Sequence, residues 1–466
     1  MHANSAEQRP APPPRPRAGS VVGRTTRALR TFLRAEASGG VVLLAATLLG
    51  LALANSPVRG AYRHLQEIPL GIGLGTATLS MSVEHWINDG LMALFFFVVG
   101  LEIKRELVVG ELASPGRALL PVAAAVGGAL LPALLFLCLN AGGPHADGWG
   151  VPMATDIAFA VGILTVLGSG VPDWVRTFVV ALAIVDDLIA ILVIAVFYTG
   201  DLAIRPLLVA GGLLVLMGGL NLLGARRAAW YVIPGVALWA AVLASGVHAT
   251  VAGVAVAAMI PARSPTPPDY ILERLRRAID LFASSLSPGA DRPATSHDEA
   301  TDAREAALEE LERATGRWET PLFRLEHGLL PWTTYLVLPL FAFINAGVAI
   351  PLDALRETVT SPLGLGIAAG LLVGKPLGIV GGTWIAIRLG ASGLPADARW
   401  RSLWGAALLG GIGFTMSLFI AALAFGAGPV LDQAKIAILC ASTLAAGGAY
   451  VMLRPADGAP RTSRRE

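Results

Sequence analysis

The sequence predicts an all-α polytopic membrane protein of about twelve transmembrane helices, with two inverted three-helix repeats, crossed discontinuous helices and a small external β-hairpin. Three observations carry this expectation. Of 466 residues, 55% are hydrophobic and 15% charged, and the mean hydropathy is +0.65, too apolar for a water-soluble domain of this length. Windows of about 20 apolar residues recur along the chain. Basic residues gather in alternate connections between those windows.

Residues 1–36 are polar, rich in proline (Pro10, Pro12, Pro13, Pro14, Pro16) and contain seven arginines, so they read as a disordered basic cytoplasmic arm. The first apolar run ends in Ala52-Leu53-Ala54, which superficially matches a signal-peptide cleavage site. The basic arm before it is unusually long and the run is long enough to stay as a first span. Apolar windows lie at 39–56, 86–108, 118–140, 150–168, 174–198, 205–224, 229–246, 247–262, 328–350, 362–387, 402–426 and 432–453. The transmembrane domain thus divides into spans 1–8 (37–262) and spans 9–12 (326–454), with an insertion at 263–325 and a tail at 455–466.

Charge tests this count. Arg24, Arg27, Arg30 and Arg34 precede span one; Lys104, Arg105 and Arg117 separate spans two and three; Arg226 and Arg227 separate six and seven; Arg388, Arg399 and Arg401 separate ten and eleven; Arg454, Arg461, Arg464 and Arg465 follow twelve. All fall on one side, whereas 141–149 and 427–431 hold no arginine and 351–361 holds only Arg356. The positive-inside rule therefore puts both termini in the cytoplasm. The net charge of +2 gives no reason to expect a nucleic-acid partner. Cys138 and Cys440 fall in apolar runs and read as small core residues.

Two connections exceed a turn. The external stretch 61–84 has the alternation and glycines of a hairpin, through Ile68-Pro69-Leu70-Gly71-Ile72-Gly73-Leu74-Gly75 and Ala77-Thr78-Leu79-Ser80-Met81-Ser82-Val83. Its exposed edge can pair with a second copy. The cytoplasmic stretch 263–325 reads as a solvated insertion with an amphipathic run at 270–286 and a charged helical run at 300–317.

The chemistry concentrates in four spans. Span five reads Ala183-Ile184-Val185-Asp186-Asp187-Leu188, with apolar residues for about ten positions on either side. An unpaired charge at that depth costs roughly 2.5–3.5 kcal/mol, so two adjacent carboxylates require partners. Neighbouring helical residues diverge by about 100°, so one can face an ion site while the other meets a neighbouring helix. Span four adds Ala154-Thr155-Asp156-Ile157-Ala158-Phe159 after Pro152, and span eleven adds Gly410-Gly411-Ile412-Gly413-Phe414-Thr415; both read as interrupted helices. If 118–198 and 362–453 are units of opposite orientation, spans four and eleven are their middle members and cross near the midplane. Span ten contains Gly374-Lys375-Pro376. A lysine can pair with an aspartate and yield its proton, which an arginine cannot, and the chain has only three lysines, Lys104, Lys375 and Lys435, against 32 arginines. At the cytoplasmic end of span two, Glu102-Ile103-Lys104-Arg105-Glu106 is either a solvated helix end or a funnel that attracts cations and responds to pH, with Glu326 and His327 returning nearby. His248, at the start of span eight, is equally a satisfied helix-end histidine or a pH sensor; Asp89 reads as an interface residue.

At these residues the chain closely resembles the NhaA family of bacterial sodium/proton antiporters. The motifs at 154–159, 183–188, Gly374-Lys375-Pro376-Leu377-Gly378 and Gly411-Ile412-Gly413-Phe414-Thr415-Met416-Ser417 carry the resemblance, which runs from about 36 to 453 apart from much of 263–320. It implies that Asp187 is the principal carboxylate for Na⁺ or Li⁺, that Asp186 pairs with Lys375, and that Thr155 and Asp156 neighbour the ion at the helix crossing. It further implies a pH response through Glu102, Arg105, Glu106, His248 and Glu326, and a homodimer joined by the external hairpin in the bacterial inner membrane. The implied activity is electrogenic exchange of Na⁺ or Li⁺ for H⁺, with no cofactor and no enzymatic reaction. A sodium-coupled solute symporter on a similar scaffold is the alternative, against which the embedded Lys375 weighs. A membrane prenyltransferase would need further acids after Asp187, where Leu188, Ile189, Ala190 and Ile191 stand, and an intramembrane aspartyl protease would need sequence contexts absent around Asp156 and Asp186.

Overall fold

The computed structural model describes residues 38–262 and 320–454, apart from 75, 76, 201 and 391–397, together with five positions between 273 and 280. The expectations for the arm at 1–36, for most of the 263–325 insertion and for the tail at 455–466 lie outside the described residues.

Uninterrupted apolar sequence produces the long helices: α3 (Val83–Val108), α4 (Pro115–Asn140), α6 (Asp173–Phe197), α7 (Ile204–Leu222), α10 (Pro321–Asn345), α12 (Pro362–Arg388) and α15 (Pro429–Leu453). The span Ala146–Leu167 begins as a 3₁₀ turn, Ala146–Met153, and continues as α5 (Ile157–Leu167). Each of these eight is long and apolar enough to cross a membrane. Two bent pairs raise the count to ten if each is one span: α1 (Ser38–Ala54) with α2 (Arg59–Glu67), at 114°, and α13 (Trp400–Gly410) with α14 (Phe414–Phe425), at 41°. The expected spans seven and eight are α8 (Ala229–Leu243) and α9 (Thr250–Met259), of 15 and 10 residues. At 1.5 Å per residue they extend about 22 and 15 Å, short of a hydrocarbon core of about 30 Å. A short amphipathic helix, α11 (Leu352–Thr360), links α10 to α12.

Span nine starts at Pro321, earlier than its apolar window, because Thr320 caps the helix through the Phe323 amide and Pro321 fits the first turn. Glu326 and His327 therefore sit within α10. The expected hairpin is shorter than 61–84: β1 (Pro69–Leu74) pairs antiparallel with β2 (Ala77–Ser82), from Pro69 opposite Ser82 to Leu74 opposite Ala77. The residues before it form α2, which turns sharply from α1 across the end of α10. Tyr62 on α2 donates its hydroxyl to Phe343 O at 2.5 Å and lies 3.1 Å from Ile344 O, covering carbonyls that α10 leaves open at its C-terminus.

Two packed cores share α3. The larger gathers side chains from α1, α3, α4, α5, α6, α10 and α12–α15; the smaller gathers Phe97 and Leu101 of α3 with Tyr231 and Leu238 of α8 and Val256 of α9. Outside them, Leu208, Val215, Ile233 and Leu389 are exposed, as helices surrounded by lipid require. Cys138 and Cys440 are exposed on α4 and α15, not in the core as expected; lipid-facing and core-facing surfaces are equally apolar, so hydropathy does not separate them.

A close backbone contact joins α4 to α12. A Cβ on Gly378 would lie 2.1 Å from Gly127 O, one on Gly127 would lie 2.2 Å from Gly378 O, and one on Gly382 would lie 2.1 Å from Ala123 O. This small-residue spacing lets the two backbones touch. Gly378→Ala is expected to destabilise the protein by about 1–3 kcal/mol, through overpacking against backbone that cannot yield. Gly381→Ala, whose Cβ would meet nothing within 4 Å, is expected to be neutral. Thermal unfolding of the two variants in detergent checks the contrast.

Candidate functional site

Between the 3₁₀ turn and α5, residues 154–156 run extended, and between α13 and α14 the chain breaks at Gly411, Ile412 and Gly413. A break inside a membrane frees backbone groups that water cannot satisfy. Here each break satisfies the other. The Asp156 amide donates to Ile412 O at 2.7 Å, the Thr155 hydroxyl donates to Gly410 O at 2.8 Å, and the Ser417 hydroxyl donates to Val151 O at 2.7 Å. The Phe414 amide is taken up by Ser442 Oγ of α15 at 3.1 Å. Gly411 allows the approach of α12, because a Cβ there would lie 2.5 Å from Leu371 O.

Asp156 caps both helices that begin at the crossing. Its Oδ1 accepts the Phe159 amide of α5 at 2.9 Å, and its Oδ2 accepts the Thr415 amide at 3.0 Å and the Thr415 hydroxyl at 2.5 Å, both from α14. Helix N-termini carry partial positive charge, so one carboxylate answers two of them. The opposite polarity is answered by Lys375, whose ammonium donates to Met153 O, at the end of the 3₁₀ turn. Lys375 follows a π-turn at Gly370–Gly374, which accommodates Pro376 and turns the lysine toward the crossing.

The same ammonium reaches Asp186 Oδ2 at 2.6 Å, and both side chains are 1% exposed. Asp186 lies near the middle of the 25-residue α6, with the Thr155 amide and hydroxyl beside it, yet its Oδ1 accepts no hydrogen bond. Asp187, on the next position of α6, is 2% exposed, and its Oδ1 likewise has no hydrogen-bond partner. Three carboxylates thus share one buried region in three states: Asp156 fully bonded, Asp186 ion-paired, and Asp187 without a protein partner for Oδ1. Among the described residues, no three His, Cys, Asp or Glu side chains converge on one point.

The other residues singled out in the sequence divide into two places. Arg105 joins Glu326 at 2.5 Å and Glu106 at 3.2 Å at the C-terminal end of α3, and Glu102 lies within electrostatic reach of all three. Glu326 is buried and its Oε2 is unpartnered. His248 is not part of that cluster. It precedes α9 on the opposite side, 3.6 Å from Asp89, with Thr250 Oγ1 at 2.9 Å from Nδ1 and the Phe419 ring at its edge. Asp89, at the start of α3, thus has His248 as its neighbour.

Sequence reasoning did not assign Thr415 and Ser417, although both stand in a motif it quoted. A hydroxyl two and four positions after a Gly-x-Gly break is the signal that was available. The reciprocal amide pair Asn88–Asn345, with contacts of 3.3 and 2.8 Å between α3 and α10, carried no such signal.

The chain matches a family model described as Na⁺/H⁺ antiporter 1 over residues 30–453. It is 47% identical over 414 residues to a protein of Koribacter versatilis, covering 89% of this chain and 88% of that one. It is 47% identical over 425 residues to one of Oleidesulfovibrio alaskensis, covering 91% and 93%, and 44% identical over 450 residues to one of Saccharophagus degradans, covering 96% and 95%. All three relatives are named Na⁺/H⁺ antiporter NhaA, the last NhaA 1.

The crossing's double cap yields a stability test. Thr415→Val keeps the side-chain shape but removes a hydroxyl donor to a buried carboxylate, and is expected to cost about 1.5–3 kcal/mol. Thr443→Val, which loses an exposed bond to Leu439 O, is expected to change stability by less than about 0.5 kcal/mol. Unfolding midpoints of the two variants measure the difference.

Proposed function

The chain belongs to the Na⁺/H⁺ antiporter 1 family, a family of transporters and not of enzymes, and on that premise we propose that it exchanges Na⁺ or Li⁺ for H⁺ at Asp187. The observation that carries the assignment to this residue is its unpartnered Oδ1 at 2% exposure, beside a neighbour already held by Lys375. A carboxylate so buried is stable only with a proton or a cation on it. The two compete for the same oxygen, and that competition is the exchange.

Asp186 has the complementary task. Ion-paired, it needs no second charge; when a cation arrives at Asp187, the Asp186 Oδ1 that no protein group holds and the Thr155 hydroxyl oxygen join the coordination in this reading. A carboxylate drawn to the cation releases Lys375, and a buried amine without its counter-charge yields a proton. More protons than cations then move per cycle. Each extra charge gains about 2.3 kcal/mol per 100 mV of membrane potential, so an inside-negative potential drives export of sodium. Asp156 takes no direct part: both of its oxygens are bonded, and its role is to hold the crossing against which Asp187 and Thr155 are placed.

The same reading makes the protein a multi-pass component of the bacterial inner membrane, of about twelve spans with two inverted three-helix repeats and both termini cytoplasmic. Cations enter past Glu102, Arg105, Glu106 and Glu326, a cluster whose charge state makes exchange pH-dependent, and His248 contributes from the other side. The β1–β2 hairpin, with its outer edge open, joins two copies as a homodimer.

Reconstituted vesicles with an internal pH reporter test the exchange. Addition of Na⁺ or Li⁺ is expected to drive proton movement, and no movement at any pH refutes the reading. Asp187→Asn, which keeps shape and removes the exchangeable charge, is expected to slow exchange by more than about a hundredfold. Lys375→Arg keeps the ion pair but withholds the proton; full exchange with an unaltered pH profile in that variant would remove Lys375 from proton transfer.

A further inference from the structure

Lys104 is the one basic side chain of the α3 cytoplasmic end that no step above uses. Its ammonium does not join the acids around it. It donates to Ala258 O at 2.6 Å and to Ile260 O, the open carbonyls at the C-terminus of α9. The intervening carbonyl, Met259 O, is taken by Asn221 Nδ2 of α7 at 2.6 Å. Every carbonyl from 258 to 260 is therefore received by a side chain, two by a lysine on α3 and one by an amide on α7.

Helix α9 also packs closely on α3. A Cβ on Gly253 would lie 2.2 Å from Ala93 O, and one on Gly100 would lie 3.1 Å from Val254 Cα. These contacts register the two helices along their length, and the lysine clamp sets their last turn. That turn bears Glu102, whose charge reaches Asp187 on α6, and Arg105, which holds Glu326 of α10. The groups facing it are Arg105 and Glu106 of α3, Glu326 and His327 of α10, and Asp187 of α6; α9 has no charged residue. A compact ammonium with three donors fits between two carbonyls two residues apart, where a planar guanidinium does not.

We propose that Lys104 is a positioning residue for cation exchange: by clamping the end of α9 it fixes the turn of α3 from which Glu102 and Arg105 act on the ion site. The proposal rests on the exchange reading above. It separates the α3 link, which serves transport, from the capping of α9, which serves stability and which Asn221 shares.

Full-length protein reconstituted in proteoliposomes tests it by Na⁺ titration at fixed pH and by the pH profile. Lys104→Met keeps the stem and removes the ammonium. It is expected to raise the apparent KM for Na⁺ about three- to tenfold and shift the pH midpoint, with the maximal rate per folded protein within about twofold of the parent. Asn221→Leu is expected to lower the unfolding midpoint and leave KM unchanged. Parental KM and pH midpoint in Lys104→Met, or an equal KM shift in Asn221→Leu, overturns the proposal. Where Lys104→Met does not fold, Lys104→Arg carries the test, with a smaller shift in the same direction expected and parental values overturning it. Absence of sodium-driven proton movement in the parent protein instead refutes the exchange reading, and the proposal with it.

Discussion

The structure depends on one electrostatic constraint: two broken spans meet inside a membrane, and the partial charges at four half-helix ends must be answered there. The N-terminal ends of α5 and α14 are answered by Asp156. The C-terminal end of the 3₁₀ turn is answered by Lys375, and that of α13 by the Thr155 hydroxyl. Remove any one of these and a backbone group is left unsatisfied where no water replaces it, at a cost of several kcal/mol. The polar residues of the crossing are thus required by the breaks before any question of transport arises. What the breaks do not require is Asp187. It answers no helix end and pairs with no base, and this separates the residue for exchange from the residues that hold its surroundings.

Packing delivers Lys375 to that point. The lysine reaches both Met153 O and Asp186 because α12 lies against α4 with no side chain between them, at Gly127, Gly378 and Gly382. Nearer the crossing, Gly374 would meet Pro132 Cα at 2.7 Å and Gly370 would meet Pro152 Cβ at 2.5 Å if either carried a Cβ. The π-turn at 370–374 occupies the same stretch, so α12 loosens its hydrogen bonding where it is closely flanked by Pro132 and Pro152. Glycine spacing, proline and the π-turn act together to aim one side chain.

Eight to ten of the twelve expected spans were legible because about 20 residues are needed to cross a bilayer, and no tertiary information is needed to find them. The strands at 69–74 and 77–82 were legible from alternation, and both breaks from Pro152 with Thr155-Asp156 and from the Gly410–Gly413 run. Bends and ends were less so: α2 turns away from α1 by 114° on the strength of Tyr62 meeting α10 some 280 residues away, a contact with no local signature. The site showed the same division. That Asp186 and Asp187 must differ followed from helical geometry, but which acid was already satisfied did not. Asp156 was expected beside the ion at the crossing, and the fold adds that both of its oxygens are bonded, by Phe159 nearby and by Thr415, 259 residues away. Charge in a membrane span identifies a residue that needs a partner, and only the fold says whether the partner is an ion or another part of the chain.

The lysines make that point from the other direction. Thirty-two of 35 basic residues are arginine, so a lysine here marks a place where the guanidinium fails. Lys375 sits between a carbonyl and a carboxylate, and Lys104 between two carbonyls. Lys435 is 6% exposed on α15, with Glu84 and Asp432 within electrostatic reach. Lys375 and Lys435 are buried and Lys104 partly so, positions that suit a compact ammonium better than a planar fork. Exposed positions such as Arg388 and Arg399 impose no such limit, since a flexible side chain there orients into solvent or, as Arg388 does, over a Trp384 ring. A composition bias that is neutral on the surface therefore becomes a map of constraint in the interior, and two of the three positions it marks lie where helix ends are held by a single ammonium.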